Sequence, residues 1–494
     1  MLGRKQQRHP KLFYSLIDLD ERIRPGNPLR RINDIIDFSF VRPQVEHFYG
    51  SRGNPSIDPI VLMKLMLILF LENIPSEREL MRRLPERLDW LWFCQYDLDS
   101  ELPDHSVLSK ARQRWGAELF RTFFQNILIQ CLKAGLVDGE VIHIDSSMIH
   151  ANASVDSLKP AFAVLAGNVY QKLEADSPQL PRQSSDNIKT QTKLSPTDPD
   201  ARCRIKGSQK VLGYQEHRCV DDTNGIITAT MTTHAAVHEG TTLEEVIEMH
   251  ERNTQSKVST VVADKAYGLV ENYKKIKAKN ITPCIPHKKS RSFGKGKFSR
   301  DDFQYDCAKD CYICPSGKEL KRQTRKPVNR NEHVYRASKK DCRICSLRAK
   351  CYSGKNSKRI YRHEDQDVIE WADNCMSKTR RRHFMRRRRA VVEGSFGDAA
   401  NNHGYKHSRW RGLERMIIQN LLIATIQNLR KLLKVNLLRP AASMAKSTNS
   451  VLHNISFAIL SRLICYRMVS IVNQSEYSVF KELYQLFRFK LLFL

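Results

Sequence analysis

The stretch Val141-Ile-His-Ile-Asp145 decides the fold, because helical periodicity gives way there to a short run of β-forming residues. From Ile57 to about Gly135, the apolar residues recur at the spacing of amphipathic helices. Asp138-Gly139 then supplies a turn immediately before the β run. The change in pattern predicts a new domain, with Asp145 at the end of its first strand.

The elements that follow this strand predict an α/β core. Two β-forming runs flank Asp222-Thr-Asn-Gly225, whose Asn-Gly suits a hairpin turn. Helical and β patterns then alternate, which gives the order β, β, β, α, β, α, β and predicts a mixed five-stranded sheet with flanking helices. The later elements are the strands Gly213 to Val220, Ile226 to Thr233, Val258 to Ala263 and Ile281 to Ile285, and the helices Thr241 to Glu251 and Leu269 to Lys277. Residues 155–210, which are polar and lack an apolar period, are predicted to form a long loop.

An all-α N-terminal domain is predicted for residues 1–136. Asp58 before Pro59, and Ser76 with Glu79, have the spacing of helix N-terminal caps, and Asp104 caps a third, basic helix. Lys110, Arg112 and Arg114 are expected mostly on the solvent side of that helix. Short helices joined by tight turns fit a helix-turn-helix-like DNA-binding region, and a plain helical bundle is the alternative.

The charge balance indicates a polyanionic partner. Lys and Arg number 82 against 53 Asp and Glu, a net charge of +29 that is spread over most of the chain. Such an excess favours nucleic acid, although a merely soluble basic protein has the same composition. Met1 to Pro10 is basic and polar, so export is not expected. The apolar stretch Val451 to Val472 is interrupted by Asn454, Arg462 and Arg467, which disfavours a membrane span.

Three carboxylates are candidates for metal-assisted chemistry. Asp145 and Asp264 each end a β run, where a carboxylate is held rigidly and still reaches solvent. Glu393 follows Arg389 by four residues, so the two share a face of a helix. Turn or cap residues and an ordinary exposed ion pair are the structural alternatives. Eight cations between Lys378 and Arg389 without one acid disfavour the ion pair, because such a run repels itself unless a polyanion neutralises it.

Five motifs in order resemble the bacterial insertion-sequence transposases that have a DDE, RNase H-like core. The resemblance covers about residues 10–435. The first three motifs are His143-Ile-Asp145-Ser-Ser, Val262-Ala-Asp264-Lys-Ala-Tyr-Gly268 and Arg389-Ala-Val-Val-Glu393-Gly-Ser-Phe-Gly397. The other two are Ser195-Pro-Thr-Asp-Pro-Asp-Ala-Arg202 and Pro103-Asp-His-Ser-Val-Leu-Ser109, of which the second lies in the family's N-terminal helical region.

The resemblance implies that Asp145, Asp264 and Glu393 hold two Mg²⁺ ions, for which Mn²⁺ can substitute, and cut and join double-stranded DNA. The family usually has a tyrosine three residues before its arginine and a lysine seven residues after its glutamate. Arg386 and Ala400 stand there in this chain. Arg386 and Arg389 are expected to bind DNA, and Lys406 and Arg409 are candidate substitutes for the lost lysine.

Six of the 13 cysteines fall between Cys307 and Cys351. Cys311-Tyr-Ile-Cys314 and Cys342-Arg-Ile-Cys345 form two C-x-x-C pairs, a spacing that predicts a structural zinc ion, with Cys307 and Cys351 unassigned. Unliganded thiols are the alternative. An odd number of cysteines without a leader favours a reducing, cytoplasmic setting over a disulfide framework.

The domain division that these patterns predict has five parts. They are a helical DNA-binding domain (1–136), the first part of the core (137–290), a cysteine-rich insertion (291–366), the catalytic helix with the end of the core (367–436) and a tail of unknown role (437–494). The predicted protein is a transposase that works without a membrane, as a homodimer or higher oligomer, because two DNA ends must be brought together. A metal-dependent nuclease that cuts without joining, and a catalytically inactive transposase-derived DNA-binding regulator, remain alternatives.

Overall fold

The computed structural model describes residues 18–52, 54–161, 164, 193–206, 208–287, 297–323, 331–351 and 356–435. The predicted tail 437–494, with its apolar stretch Val451 to Val472, lies outside the described residues. Most of the predicted long loop, from 165 to 192, also lies outside them.

The N-terminal region is helical, as predicted. Its helices start where the cap signals place them: the amide of Ile60 donates to the Asp58 carboxylate at 3.0 Å, and the amide of Glu79 donates to the Ser76 hydroxyl at 3.2 Å. These side chains satisfy amides that have no partner within the helix. The helices are α1 Leu19–Arg22, α2 Pro28–Ile35, α3 Val41–Val45, α4 Pro59–Leu71, α5 Glu77–Arg83, α6 Leu88–Cys94, α7 Ser106–Trp115 and α8 Glu118–Lys133.

One predicted surface residue of this region is instead buried. Arg112 was expected with Lys110 and Arg114 on the solvent side of α7, and only 3% of it is exposed. Its guanidinium donates to the Glu77 carboxylate and lies 3.7 Å from the centre of the Trp410 ring. The prediction for Arg112 was wrong because a sequence pattern gives the charge of a side chain but not its partners.

A mixed sheet forms the centre of the chain, in the order β4-β5-β1-β7-β8, with β6 also paired to β5. β1 is antiparallel to β5 and parallel to β7, which is parallel to β8. The strands of this sheet and of a two-residue ladder are β1 Val141–His150, β2 Lys159–Pro160, β3 Lys193–Leu194, β4 Arg202–Lys206, β5 Gln209–Asp221, β6 Ile227–His234, β7 Thr260–Ala263 and β8 Thr282–Cys284.

The sheet has six strands rather than the predicted five. The added strand, β4, falls in the segment that was predicted to be loop. Its large apolar residue, Ile205, is 67% exposed, so the segment lacks the buried alternation that identifies a strand in a sequence. Pairing with the first half of β5, from Arg202 opposite Gly213 to Lys206 opposite Gln209, holds it in the sheet.

β1 continues beyond Asp145 to His150, whereas the sequence predicted that it would end at Asp145. The strand continues because β5 runs beside it as far as Gly213, opposite His150. A Cβ at Gly213 would lie 1.9 Å from the carbonyl oxygen of Ile149, so this close approach requires glycine. The hairpin from β5 to β6 is confirmed, and Gly225 in its turn has a φ of +67°.

The two faces of β1 meet different partners, because alternate residues of a strand point in opposite directions. Ile142 and Ile144 pack in the core with helices α9 (Leu243–Thr254) and α10 (Val270–Ala278). Val141, on the opposite face, packs with Val262 of β7 and with Met376 and Phe384, which belong to the C-terminal helical segment. His143 and Asp145 share the face of Val141 and therefore point toward that segment.

The cysteine-rich insertion has a fold of its own, which the sequence did not predict. It is an antiparallel sheet in the order β13-β12-β11-β10-β9 around the apolar cluster of Phe303, Tyr312, Leu320, Tyr335, Ala337 and Ile360. The elements are β9 Gln304–Asp306, β10 Cys311–Ile313, β11 Glu319–Arg322, β12 Glu332–Ala337, α11 Lys339–Arg343, α12 Arg348–Cys351 and β13 Arg359–His363.

Helices resume after the insertion and cross the central sheet. They are α13 Gln366–Asn374, α14 Lys378–Arg388, a π-helical turn Arg389–Glu393, α15 Gly394–His403 and a helix at 413–435. A fully buried ion pair fastens α15 to the sheet: Arg218 of β5 donates to Glu216 at 2.9 Å, to Ser395 at 2.7 Å and to Gln427 at 2.9 Å. Because every charge in this group has a partner, burial does not leave an isolated ion.

We expect the substitution Arg218→Met to lower the free energy of unfolding by about 3–5 kcal/mol, because it leaves the carboxylate of Glu216 buried without its cation. The loss is measured as a lower midpoint of thermal unfolding. The double variant Glu216→Gln/Arg218→Met removes both charges and should recover most of the loss. An Arg218→Met protein as stable as the parent contradicts this account of the pair.

Candidate functional site

Two of the predicted acids lie at neighbouring positions, immediately after the last paired residues of the parallel strands β1 and β7. Ile144 of β1 is opposite Ala263 of β7, so the next residue of each strand is Asp145 and Asp264. Asp264 accepts a hydrogen bond from the amide of Ala266 at 2.5 Å, which caps a short 3₁₀ turn. Burial raises the pKa of Asp145 above its ordinary value; Arg388 opposes this shift and the charge of Asp264 adds to it. The two carboxylates therefore need a cation nearby.

Arg388 links the third predicted acid to this pair. One guanidinium nitrogen, Nη1, donates to Oδ2 of Asp145 at 2.7 Å, and the other, Nη2, donates to Oε1 of Glu393 at 3.0 Å. The Arg388 side chain is 11% exposed and that of Glu393 is 47% exposed. A single planar cation thus bridges two acids that are separated by 248 residues in the sequence, so all three predicted carboxylates lie in one region.

The sequence placed Arg389 on the same helix face as Glu393, but the residue that contacts Glu393 is Arg388. That placement assumed an α-helix, in which residues four apart share a face. Residues 389–393 instead form a π-helical turn. A π-helical turn has i to i+5 hydrogen bonds and more residues per turn than an α-helix, so the α-helical spacing does not apply; Arg388 contacts Glu393, and Arg389 is exposed.

The oxygen donors fit a hard divalent cation, since carboxylates are ligands that Mg²⁺ and Mn²⁺ prefer. Within the described ranges, no three His, Cys, Asp or Glu side chains are grouped closely enough to hold a metal ion. At the acids, the Arg388 guanidinium stands between two of the carboxylates. In this structure a side-chain cation, Arg388, bridges Asp145 and Glu393.

The run Arg386 to Arg389 divides into two pairs with different surroundings. Arg387 and Arg388 point toward the sheet: Arg387 donates to the Asp222 carboxylate, which also contacts His143 at 2.6 Å. Burial lowers the pKa of His143. Arg386 and Arg389 are exposed and line an open pocket together with Arg382, Met385 and Arg388. These two predicted DNA-binding residues therefore reach solvent.

The other two predicted DNA-binding cations have different environments. Lys406 is exposed, and its ammonium donates to the Ser147 hydroxyl at 2.6 Å, two residues after Asp145. Arg409 donates to the carbonyl of Leu69 at 3.0 Å and to that of Ile74, and lies 4.3 Å from the centre of the Phe70 ring. Burial lowers the pKa of Arg409 to about 10. Its contacts join residues 404–412 to the end of α4.

Sequence reasoning missed Arg388, and the π-helical turn that positions it has no signal in the spacing of the residues. It also left Asp198 and Asp200 without a role, although both lie in one of the quoted motifs. Oδ1 of Asp198 accepts from the amide of Gly412 at 3.1 Å, and Oδ2 of Asp200 accepts from the amide of Leu413 at 3.0 Å. The two carboxylates thus hold the start of the helix at 413–435, where anions are favoured.

The cysteines are only partly arranged as predicted. Cys314, Cys342 and Cys351 pack against the apolar cluster of the small sheet. Burial raises the pKa of Cys351, and the thiols of Cys342, Cys314 and Cys345 contribute in the same direction, so Cys351 senses the charge of each of the other three. Cys311 is buried, and its charged neighbours are instead Glu319, Asp306, Lys309 and Asp310. Cys351 is thus nearer to the group than Cys311.

Comparisons with known proteins agree with the motifs at both ends of the chain. Residues 17–114 match the family model "Transposase domain (DUF772)", and residues 313–433 match the model "Transposase DDE domain". No curated protein matches the sequence. A cryo-EM structure of a piggyBac transposase synaptic complex with hairpin DNA aligns with 79% of this chain and 71% of its own, at 10% identity and a TM-score of 0.29.

In the part of the chain that the structure describes, every helix is too short or too polar to cross a membrane.

We expect Asp145→Asn to raise the midpoint of thermal unfolding at neutral pH in the presence of EDTA. A carboxyl whose pKa is higher in the folded protein than in the unfolded chain binds its proton more tightly when folded, so its charge costs stability above that pKa. Asparagine keeps an acceptor for Arg388 and carries no charge.

The gain should shrink as the pH falls from neutrality toward the ordinary pKa of aspartate, because the parent then takes up the compensating proton. Unfolding curves at a series of pH values measure the difference. A gain that is independent of pH, or a loss at neutral pH, contradicts the expectation.

Proposed function

Because the two domain matches support membership of the insertion-sequence DDE transposases, we propose that this protein cuts and joins DNA with Asp145, Asp264 and Glu393 as its metal ligands. The observation that carries the proposal is the bridge from Arg388 to Asp145 and Glu393, next to Asp264. It supports convergence of three acids that are far apart in the sequence.

The acids differ in how the fold holds them, and this suits different tasks. Asp145 and Asp264 are fixed by β1 and β7 in the sheet, and Asp264 is further held by its turn. Glu393 lies on a π-helical turn and is the most exposed of the acids that contact Arg388. When bound, two divalent cations would activate the attacking oxygen and stabilise the leaving 3′ oxygen. The rigid pair orients them, and Glu393 completes the ligand set.

The core that carries these acids is proposed to be RNase H-like. Support comes from the mixed sheet, in which antiparallel strands β1, β5 and β6 precede parallel β7 and β8, with helices on both faces. The two aspartates stand on the central, adjacent parallel strands. Glu393 is supplied by a helical segment that follows the insertion.

DNA is the proposed polyanion, and the exposed face of α14 is its proposed contact surface. Arg382, Arg386 and Arg389 are spaced at i, i+4 and i+7, so they share one face and line the pocket beside Arg388. Lys406, near Ser147, extends the basic surface along β1. Arg409 is reassigned from DNA contact to joining α4 with residues 404–412, because its guanidinium donates to main-chain carbonyls there. Bringing two DNA ends together requires an oligomer.

We expect Asp145→Asn, Asp264→Asn and Glu393→Gln each to reduce metal-dependent DNA cleavage by at least about 10²-fold, because each removes a charged metal ligand without changing side-chain size. The substrate is duplex DNA from the two ends of the element that encodes the protein, with Mg²⁺ or Mn²⁺. The matched control is Glu271→Gln, which alters an exposed acid on α10 and should retain full activity.

Pre-cleaved ends in the same assay test joining separately. Joining that is lost in the three acid variants supports a transposase, whereas cleavage without joining supports the nuclease. DNA binding without metal-dependent cleavage by the parent protein supports the inactive regulator, in which Arg386 and Ala400 replace the family's tyrosine and lysine. Either of the last two results overturns the proposed strand transfer.

A structural zinc ion in the small sheet is the second part of the proposal, with Cys314, Cys342, Cys345 and Cys351 as its four thiolate ligands. Two of the thiols come from one C-x-x-C pair, and Cys314 lies in a turn closed by the amide of Lys318, which donates to its sulfur at 3.3 Å. Zinc would draw these half-buried sulfurs into tetrahedral contact. Cys351 replaces Cys311, which is buried in β10 and has Glu319 and Asp306 as charged neighbours.

We expect the full chain, purified without chelators, to contain about one zinc per chain by mass spectrometry of the metal. Cys342→Ser and Cys351→Ser should lose it, because three thiolates bind zinc more weakly than four. Cys307→Ser, at an exposed position, and Cys311→Ser should keep it. Zinc that is lost in Cys311→Ser but kept in Cys351→Ser restores the ligand set predicted from the sequence.

A further inference from the structure

The Arg388 side chain is less exposed than either of the two acids that it contacts. Its two terminal nitrogens are both used, one for each carboxylate. Its third nitrogen, Nε, is buried and has no hydrogen-bond partner within the described residues. Asp145 and Glu393 are therefore the hydrogen-bond acceptors of the Arg388 guanidinium among the described residues. An anion that accepted two hydrogen bonds from it would satisfy more of its N–H donors.

The position of this guanidinium conflicts with a shared metal ion. Asp145 and Glu393 would hold a shared divalent cation with the same carboxylates that Arg388 now occupies. Two positive groups this close in a part-buried site repel each other strongly, because water screens them poorly. Metal binding must consequently move Arg388 away from the carboxylates.

The guanidinium of Arg388, once displaced from the acids, can turn into a neighbouring pocket. Arg388 lines the same pocket as Arg382, Arg386 and Arg389, whose guanidiniums are exposed. Arg382, Arg386 and Arg389 are exposed cations on one face and repel one another, so the pocket favours a phosphate group when Arg388 turns toward it. A guanidinium can bind one phosphate through two parallel hydrogen bonds, whereas Arg388 now gives one terminal nitrogen to each of two acids.

We propose that Arg388 is an internal counterion for Asp145 and Glu393 that metal binding displaces, and that its guanidinium then binds a phosphate of the DNA. The inference rests on the proposed function, since it takes the three acids to be the metal ligands. Arg388 closes the site in the metal-free protein. When metal binding releases Arg388, the affinity of the protein for DNA increases.

The first test measures Mn²⁺ binding by the full-length protein without DNA, by calorimetry or by the electron paramagnetic resonance signal of free Mn²⁺. We expect Arg388→Met to lower the Kd at least about tenfold, because no internal cation competes. Arg389→Met removes the same charge one residue away, where it contacts neither acid. It should change the Kd less than about threefold, which separates the contact from the charge.

The acid variant in the same experiment separates the two proposals. Mn²⁺ binding that is lost in Asp145→Asn, with equal Kd values for Arg388→Met and Arg389→Met, overturns the role of Arg388 and leaves the metal ligands standing. Mn²⁺ binding that Asp145→Asn does not weaken overturns the proposed function and this inference with it. Unfolding midpoints within the range of the parent establish that each variant is folded.

The second test follows Arg388 to the phosphate through the salt dependence of DNA binding. With Ca²⁺ in place of Mg²⁺, the slope of log Kd against log salt should be smaller by about one for Arg388→Met than for the parent, since one phosphate contact is lost. In EDTA, the two slopes should agree, because the acids then hold the guanidinium. Equal slopes in Ca²⁺, or the same decrease in both conditions, overturn the proposed transfer.

Discussion

The parallel pairing of β1 with β7 is the constraint on which the site depends. It places Ile144 opposite Ala263 and so delivers two carboxylates at neighbouring positions, where burial and the charge of Asp264 make the charge of Asp145 costly. The cation that contacts Asp145 is Arg388, which comes from outside the strands. The helical segment that crosses the sheet therefore has to present Arg388 at that point, and its position is correspondingly well fixed.

An ion pair and a buried hydrogen-bond group hold that segment against the sheet, one on each side of the π-helical turn. Before the turn, Arg387 binds Asp222 at the end of β5; after it, Ser395 and Gln427 bind Arg218, which Glu216 neutralises. Residues 404–412 carry the connection to the N-terminal helices. Arg409 donates to carbonyls at the C-terminal end of α4, where helix carbonyls lack partners and favour a cation.

Much of the fold could be predicted from the sequence, because local physics determines it. Asp58 and Ser76 cap helices, and Asn224-Gly225 turns a hairpin, whatever surrounds them. The strands of the insertion were missed because they are short and have few buried residues. Arg112 and Arg409 were expected at the surface. They instead contact residues from distant segments, which the local sequence does not reveal. The three acids were found by motif resemblance, but Arg388 was not, since a π-helical turn changes which residues share a face.

The arginines of α14 show why net charge is an incomplete guide to a binding surface. A run of eight cations without an acid suggests that all of them bind a polyanion. In the folded protein, Arg387 and Arg388 neutralise acids of the sheet, and these contacts orient the helix about its axis. That orientation turns Arg382, Arg386 and Arg389 outward along one face. Because the inward pair touches the acids, the outward face is held beside them, and a phosphate backbone bound there lies next to the three carboxylates.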